Sequence, residues 1–273
     1  MGPHKSQAAR QTASTVEGTP VFAGVKVVFF DLDDTLCAYW NAAKKGLKLA
    51  FEDHPEHGAT AAAMIDHWGE VFREFAPTIK HTHWYEKYLE SGETTRVELM
   101  RRTLERVGVF DEELASNLSH TYYVERHAAL ELFPEALEVL DKLHGKFNLG
   151  LITNGPADIQ RQEIETLGIA GLFDCVLIEG ETKKGKPNPE VMQMAEEQTG
   201  CSGAEVLFVG NSYKHDVCPA RTAGWRQVWI RRPSDVPPTA RRTEPEGLPE
   251  GEPEPDMTIV DLRELLPALG IDP

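Results

Sequence analysis

The sequence predicts an α/β fold, a Rossmann-like core on a mostly parallel sheet, interrupted by an inserted all-helical domain. Three observations predict it. Short apolar runs bounded by turn residues recur along the chain, helical segments alternate with the later ones, and the stretch after the first run carries helical spacing alone.

Residues 1–24 are polar, rich in Ala, Thr, Gln and Gly, and lack sustained periodicity, so they are expected to form a disordered tail. The first apolar run, 25–30, ends abruptly in Asp31-Leu32-Asp33-Asp34-Thr35. Three more runs follow the same grammar: 149–152 ends in Thr153-Asn154-Gly155, 175–178 in Glu179-Gly180, and 206–209 in Gly210-Asn211-Ser212. Such runs read as strands buried on both faces. Between them, Ile159, Ile164 and Leu167 share one helix face ahead of Gly168, and Pro189 opens a helix capped by Asn188 and stopped near Gly200. Strands and helices in alternation pair in parallel, and ligands then bind beyond the carboxyl ends of the strands, where the polar endings converge.

Residues 38–130 break the alternation. Ile65, Trp68, Phe72 and Phe75, then Val97, Met100, Leu104 and Val107, recur at helical spacing, which predicts a helical insert between core segments 25–37 and 131–273. Residues 231–255 hold 7 of the chain's 18 prolines and five glutamates, so 231–256 is expected to be a flexible loop. A strand at Thr258-Ile259-Val260 and an amphipathic helix through Leu262, Leu265, Leu266 and Leu269 then close the core.

With 273 residues, 41% hydrophobic and 26% charged, the chain suits one or two ordinary globular domains. Its 28 Lys plus Arg stand against 44 Asp plus Glu, and a net charge of −16 repels polyanions, which argues against nucleic-acid binding and gives no attraction to anionic membranes. Residues 1–24 lack the apolar region of a secretory signal and no run approaches the roughly 18 apolar residues of a spanning helix, so a cytoplasmic location is expected. Cys37, Cys175, Cys201 and Cys218 form no CxxC pair and read as reduced structural thiols.

Asp31 and Asp33 stand two apart at a strand end, and the period of a strand aims both carboxylates into one pocket. Like charges this close need a cation beside them or a proton on one of them, and catalysis uses both remedies. Asp34 is equally well explained as a turn or cap residue.

The segment Phe30-Asp31-Leu32-Asp33-Asp34-Thr35-Leu36 resembles the DxDxT signature of the haloacid dehalogenase-like (HAD) superfamily. The later motifs of that family follow in order: Leu-Ile-Thr153-Asn-Gly, then Gly185-Lys186-Pro187-Asn188-Pro189, then Gly210-Asn211-Ser212-Tyr213-Lys214-His215-Asp216. The resemblance spans residues 25–232 and puts the insert where subfamily I members carry a helical C1 cap. Residues 152–168 and 180–189 are most similar to the branch containing N-acylneuraminate-9-phosphatase and house-cleaning nucleotidases.

The resemblance implies that Asp31 is a nucleophile forming an aspartyl-phosphate and that Asp33 is the acid and base. It implies that Thr153, the backbone of Asn154 and Gly155, and Lys186 hold the phosphate. It also implies Mg²⁺ on Asp31, the Asp33 carbonyl, Asn211 and Asp216. These residue types suit phosphoryl transfer, which needs an in-line nucleophile, donors and positive charge on the equatorial oxygens, and hard oxygen ligands for the metal. Many members carry Asp where this chain has Asn211, so the expected ligand set is short of one negative charge.

The expected activity is Mg²⁺-dependent hydrolysis of small phosphorylated metabolites, sugar phosphates or nucleoside monophosphates, with the cap choosing among them. A phosphomutase, a haloacid dehalogenase and a non-catalytic binding protein of the same fold are the alternatives; Asp33 speaks against the dehalogenase, whose halide leaves without a proton. Among the remaining polar features, His81 and His83 read as solvated or locally bonded histidines rather than as a metal site. Lys183 and Lys184 read as a solvated charge run, and Cys37 as a small apolar filler.

Overall fold

The structure, a computed structural model, describes residues 20–240 and 243–272. Strand β1 (Val27–Phe30) leads into helices α1 (Tyr39–Asp53), α2 (Ala61–Ile79), α3 (Trp84–Glu90), α4 (Gly92–Glu105), α5 (Glu112–Ala129) and α6 (Ala136–Leu143). There follow β2 (Asn148–Thr153), α7 (Ala157–Thr166), β3 (Cys175–Ile178), α8 (Glu179–Thr182), α9 (Pro189–Thr199) and β4 (Val206–Gly210). The chain ends with α10 (Cys218–Thr222), β5 (Arg226–Ile230), β6 (Met257–Ile259) and α11 (Leu265–Ala268).

The strands form one six-stranded parallel sheet in the order β3-β2-β1-β4-β5-β6. Alternation along β1 builds the two sides of the core. Val28 and Phe30 pack with Leu140 and Leu143 on one face, while Val27 and Phe29 pack with Met192 and Trp225 on the other. The chain leaves β1 outward to β2 and β3, then returns to pair β4 against the opposite edge of β1, which opens a crevice at the strand ends. Phe30 is level with both Leu151 and Val209, so the segments after β1, β2 and β4 enter that crevice together.

Helices α1 to α5 form the insert and carry an apolar core of their own, with Leu47, Phe51, Trp68, Phe75, Leu104 and Leu118 buried. Gly46 is the reason α1 and α5 approach so closely: a Cβ there would sit 2.9 Å from the backbone of both Arg126 and Tyr122. The insert rests on the sheet domain through polar contacts. Lys80 pairs with Glu179 at 2.7 Å, Tyr85 donates to the same carboxylate at 3.0 Å, and Ser91 Oγ donates to Asp158 at 3.0 Å. Among the described residues no helix is long and apolar enough to cross a membrane.

Two expectations need correction, and one strand is new. The tail expected over 1–24 does not hold for residues 20–24, because Phe22 is buried in the main core and its N–H donates to the Ala268 carbonyl at 2.9 Å; residues 1–19 lie outside the described residues. Strand β5 adds to the strands expected above: its apolar run is only Val228-Trp229-Ile230, behind Arg226 and Gln227, and Gln227 is buried but satisfied, its side chain donating to Asp256 at 2.7 Å.

The Pro/Glu-rich segment is irregular, as its composition implies, but it is pinned rather than loose. Arg73 of α2 donates to the Thr239 carbonyl at 2.6 Å, Tyr213 donates to that of Pro253 at 2.6 Å, and Leu248 packs beside Tyr213 and Trp229. Proline leaves carbonyls without a helical or strand partner, and here neighbouring side chains take them. Deleting residues 236–254 is therefore expected to cost about 1–3 kcal/mol of stability, read as a lowered thermal midpoint. An unchanged midpoint would show that the strap contributes nothing.

Candidate active site

Every residue that the sequence singled out for catalysis, phosphate or metal lines one cavity of about 500 Å³ between the strand ends and the insert. Asp31 continues β1 by donating its N–H to Val209 at 2.9 Å, which fixes its backbone in the sheet. Its carboxylate accepts from the Thr35 hydroxyl at 2.9 Å and from Lys186 Nζ at 2.6 Å. The same Nζ donates to Asp216 at 2.7 Å, and Asp216 is held in turn by the Ser212 N–H at 2.8 Å. One buried lysine thus bridges two buried acids that come from the ends of β1 and β4.

Local backbone explains this arrangement. Gly210 closes β4, and a Cβ there would lie 2.4 Å from Asp216 Cγ, so only glycine lets the carboxylate fold back against the strand end. Asn154 clamps the lysine's loop: its side-chain oxygen accepts from the Lys186 N–H and its amide donates to the Lys186 carbonyl, both at 2.7 Å. Arg232 is buried and donates to the Thr35 carbonyl at 2.9 Å, tying the signature loop to the segment that follows β5.

The electrostatics follow from burial. Burial raises the Asp31 carboxyl to about 6, against the pull of Lys186 and with the help of Asp216. Burial, then the neighbouring Glu163 and Asp31, pushes Asp33 well above the ordinary carboxylate range. Burial alone would lower the Lys186 ammonium, but Asp216 and Asp31 outweigh it and hold the group above its ordinary value. Asp34 reaches about 8 through burial and Asp235; it adopts a left-handed φ of 56° and takes the Trp40 N–H at 3.2 Å, so it serves the start of α1.

Two sequence-derived roles look different in the structure. The Thr153 hydroxyl donates to Gln160 Oε1 at 2.6 Å rather than into the cavity. Gln160 donates onward to Glu163 at 2.9 Å and lies 3.4 Å from Asp33, and Glu163 sits 3.0 Å from Arg126 of α5. Thr153, Asp33 and the insert are thereby joined through residues that carried no motif. Asn211 donates its amide to Asp235 at 2.9 Å. The loop therefore brings a carboxylate against the position where the expected ligand set lacked one.

The donor set fits Mg²⁺ by its chemistry. Asp31 and Asp216 bring two negative charges against the single positive charge of Lys186, and the Asp33 carbonyl and Asn211 amide oxygen add neutral hard donors. Among the described residues no group of three or more His, Cys, Asp or Glu is arranged to hold a metal through side chains alone, so the site depends on that mixed set. His81 and His83 are exposed and outside the cavity lining, and burial pushes the Cys37 thiol well up.

A model of the haloacid dehalogenase-like hydrolase family matches residues 25–224, and a HAD-hydrolase-like model matches 184–265. The chain is 35% identical to a phosphoserine phosphatase of Thermus thermophilus over 62% of its length and 63% of that enzyme's, less than two thirds of the relative. It is 25% identical to N-acylneuraminate-9-phosphatase of Rattus norvegicus, covering 79% of this chain and 86% of the relative. It is 25% identical to a pyrimidine 5'-nucleotidase of Escherichia coli, covering 87% and 95%. Among solved structures it resembles a magnesium-bound HAD-hydrolase of Bacillus subtilis, with a TM-score of 0.68 at 21% identity over 90% of this chain and 99% of that one. It also resembles an L-2-haloacid dehalogenase of Xanthobacter autotrophicus, with a TM-score of 0.64 at 21% identity over 88% and 96%.

Proposed function

The chain belongs to the haloacid dehalogenase-like hydrolase family, and from that premise we propose that it is a Mg²⁺-dependent phosphatase of small phosphorylated metabolites. The observation that carries this reading is Lys186, whose Nζ lies 2.6 Å from Asp31 and 2.7 Å from Asp216 at the mouth of the strand-end crevice. A fixed cation beside a nucleophilic carboxylate is what an incoming phosphate dianion requires. The names of the three relatives, each a hydrolase of a phosphorylated compound, support the same chemistry.

In the first step an Asp31 oxygen forms a bond to phosphorus while the ester P–O bond breaks, and Asp33 gives its proton to the leaving oxygen. In the second, Asp33 takes a proton from water as that water attacks phosphorus and the bond to Asp31 breaks, which restores both acids and releases phosphate. Lys186 holds the phosphoryl oxygens throughout, and the insert excludes bulk water from the cavity. Mg²⁺ held by Asp31, Asp216, Asn211 and the Asp33 carbonyl would neutralise charge on the phosphoryl oxygens.

Phosphate release from p-nitrophenyl phosphate is expected to vanish in EDTA and return with Mg²⁺. Chloride release from 2-chloropropionate with no phosphate release would overturn the reading in favour of a dehalogenase. Asp33→Asn is expected to slow alkyl phosphates by roughly 10²–10⁴-fold and p-nitrophenyl phosphate much less, because nitrophenolate leaves without a proton. Equal losses on both esters, measured side by side, would remove Asp33 from the acid role.

A further inference from the structure

The insert roofs the cavity, and much of that roof is apolar or aromatic, with Trp68, Phe72, Leu99 and Tyr122 facing in. Two arginines interrupt it, Arg96 from α4 and Arg126 from α5. Arg126 is buried and neutralised in place, 3.0 Å from Glu163 and donating to the Tyr39 hydroxyl at 3.2 Å. Arg96 is not. It is half-buried, lies over the Tyr123 ring at 4.7 Å, and makes no hydrogen bond or ion pair with any described residue; its Nε is buried without an acceptor among them. Two acids act on it through space, and both are engaged elsewhere: Asp158 accepts from Ser91 Oγ at 3.0 Å and the Gly92 N–H at 3.2 Å, and Glu163 faces Arg126 and accepts from Gln160.

A half-buried guanidinium with no acceptor in direct contact is costly, and Asp158 and Glu163 reach this one only through space. The Tyr123 ring beneath it helps hold the guanidinium in place, and a guanidinium fork receives two coplanar oxygens. We propose that Arg96 is a specificity-determining residue and that the preferred substrates are phosphomonoesters whose leaving group carries a carboxylate. This rests on the phosphatase reading of the site. A carboxylate brings two coplanar oxygens and one negative charge, whereas a second phosphate would bring up to about two charges into a half-buried place already within the fields of Asp158 and Glu163.

Matched esters test the inference. 6-Phosphogluconate and glucitol 6-phosphate differ only in a carboxylate against an alcohol; 3-phosphoglycerate and glycerol 3-phosphate repeat the comparison at three carbons, and glucitol 1,6-bisphosphate supplies a second phosphate. The wild type is expected to favour the carboxylate ester in kcat/KM by about tenfold or more in at least one pair, the size of a charged hydrogen bond. Arg96→Met is expected to bring that ratio close to one, and Arg96→Lys to keep part of it. Taking the ratio on each protein cancels any general loss of folding or catalytic power.

A wild-type ratio near one in both pairs, or a ratio untouched by Arg96→Met, would overturn the proposal; a bisphosphate preferred to the carboxylate ester would overturn the choice of carboxylate. p-Nitrophenyl phosphate separates the two readings, because it lacks any second anion. If neither it nor the metabolite esters are hydrolysed, the phosphatase reading fails. The thermal shift given by 6-phosphogluconate over glucitol 6-phosphate, in wild type against Arg96→Met, then decides on Arg96 by itself.

Discussion

Asp31→Asn is expected to leave a folded protein whose phosphatase activity is lower by on the order of 10⁴-fold or more. The amide keeps the shape of the side chain and can still accept from Lys186, so the contacts that order the loop survive. Its oxygen is a far weaker nucleophile than a carboxylate, and no other described acid stands in the same place at the end of β1. Stability should change little, because burial already raises the Asp31 carboxyl to about 6 and losing its charge is tolerated there. Lys186 keeps Asp216 at 2.7 Å. The measurement is single-turnover phosphate release together with a thermal melt. Turnover near wild type would remove Asp31 from the reaction, and loss of the melting transition would show instead that its charge holds the fold.

Local chemistry was the legible part of this chain. The apolar runs ending in Asp31, Thr153 and Gly210 located the site because a strand buried on both faces must be apolar until it reaches solvent. The helix from Pro189 to Thr199 was legible for a similar reason, its Asn188 cap and left-handed Gly200 being short-range devices. What the sequence hid depends on contacts between distant segments. Arg126 meets Glu163, Arg232 meets the Thr35 carbonyl, and Asp235 meets Asn211 across gaps that no local period can report. Composition misled at the Pro/Glu-rich strap, since the prolines that forbid regular structure also leave carbonyls free to be taken by Arg73, Tyr213 and Arg221.

Lys186→Met is expected to cost about 3–5 kcal/mol of folding stability in the absence of metal, the usual penalty for stranding buried charge. Methionine fills nearly the same volume, so packing is retained and the loss is electrostatic. Asp31 and Asp216 then face each other with no cation between them. The fold can relieve this by protonating one acid, and Asp31 is the readier one because burial already raises it to about 6. The pH dependence follows from that. An acid whose folded pKa lies above its unfolded value contributes stability below the unfolded value and loses it as pH rises through the folded one. Removing Lys186 takes away an interaction that lowers the Asp31 pKa, so the variant should be closer to wild type at pH 5 than at pH 8. Adding Asp216→Asn to the variant should restore part of the loss by removing the second charge, a non-additivity that a purely steric role for the lysine would not produce. Urea unfolding in EDTA at the two pH values measures both effects. Equal losses at pH 5 and pH 8, with no recovery in the double variant, would mean that the lysine holds the site by packing alone.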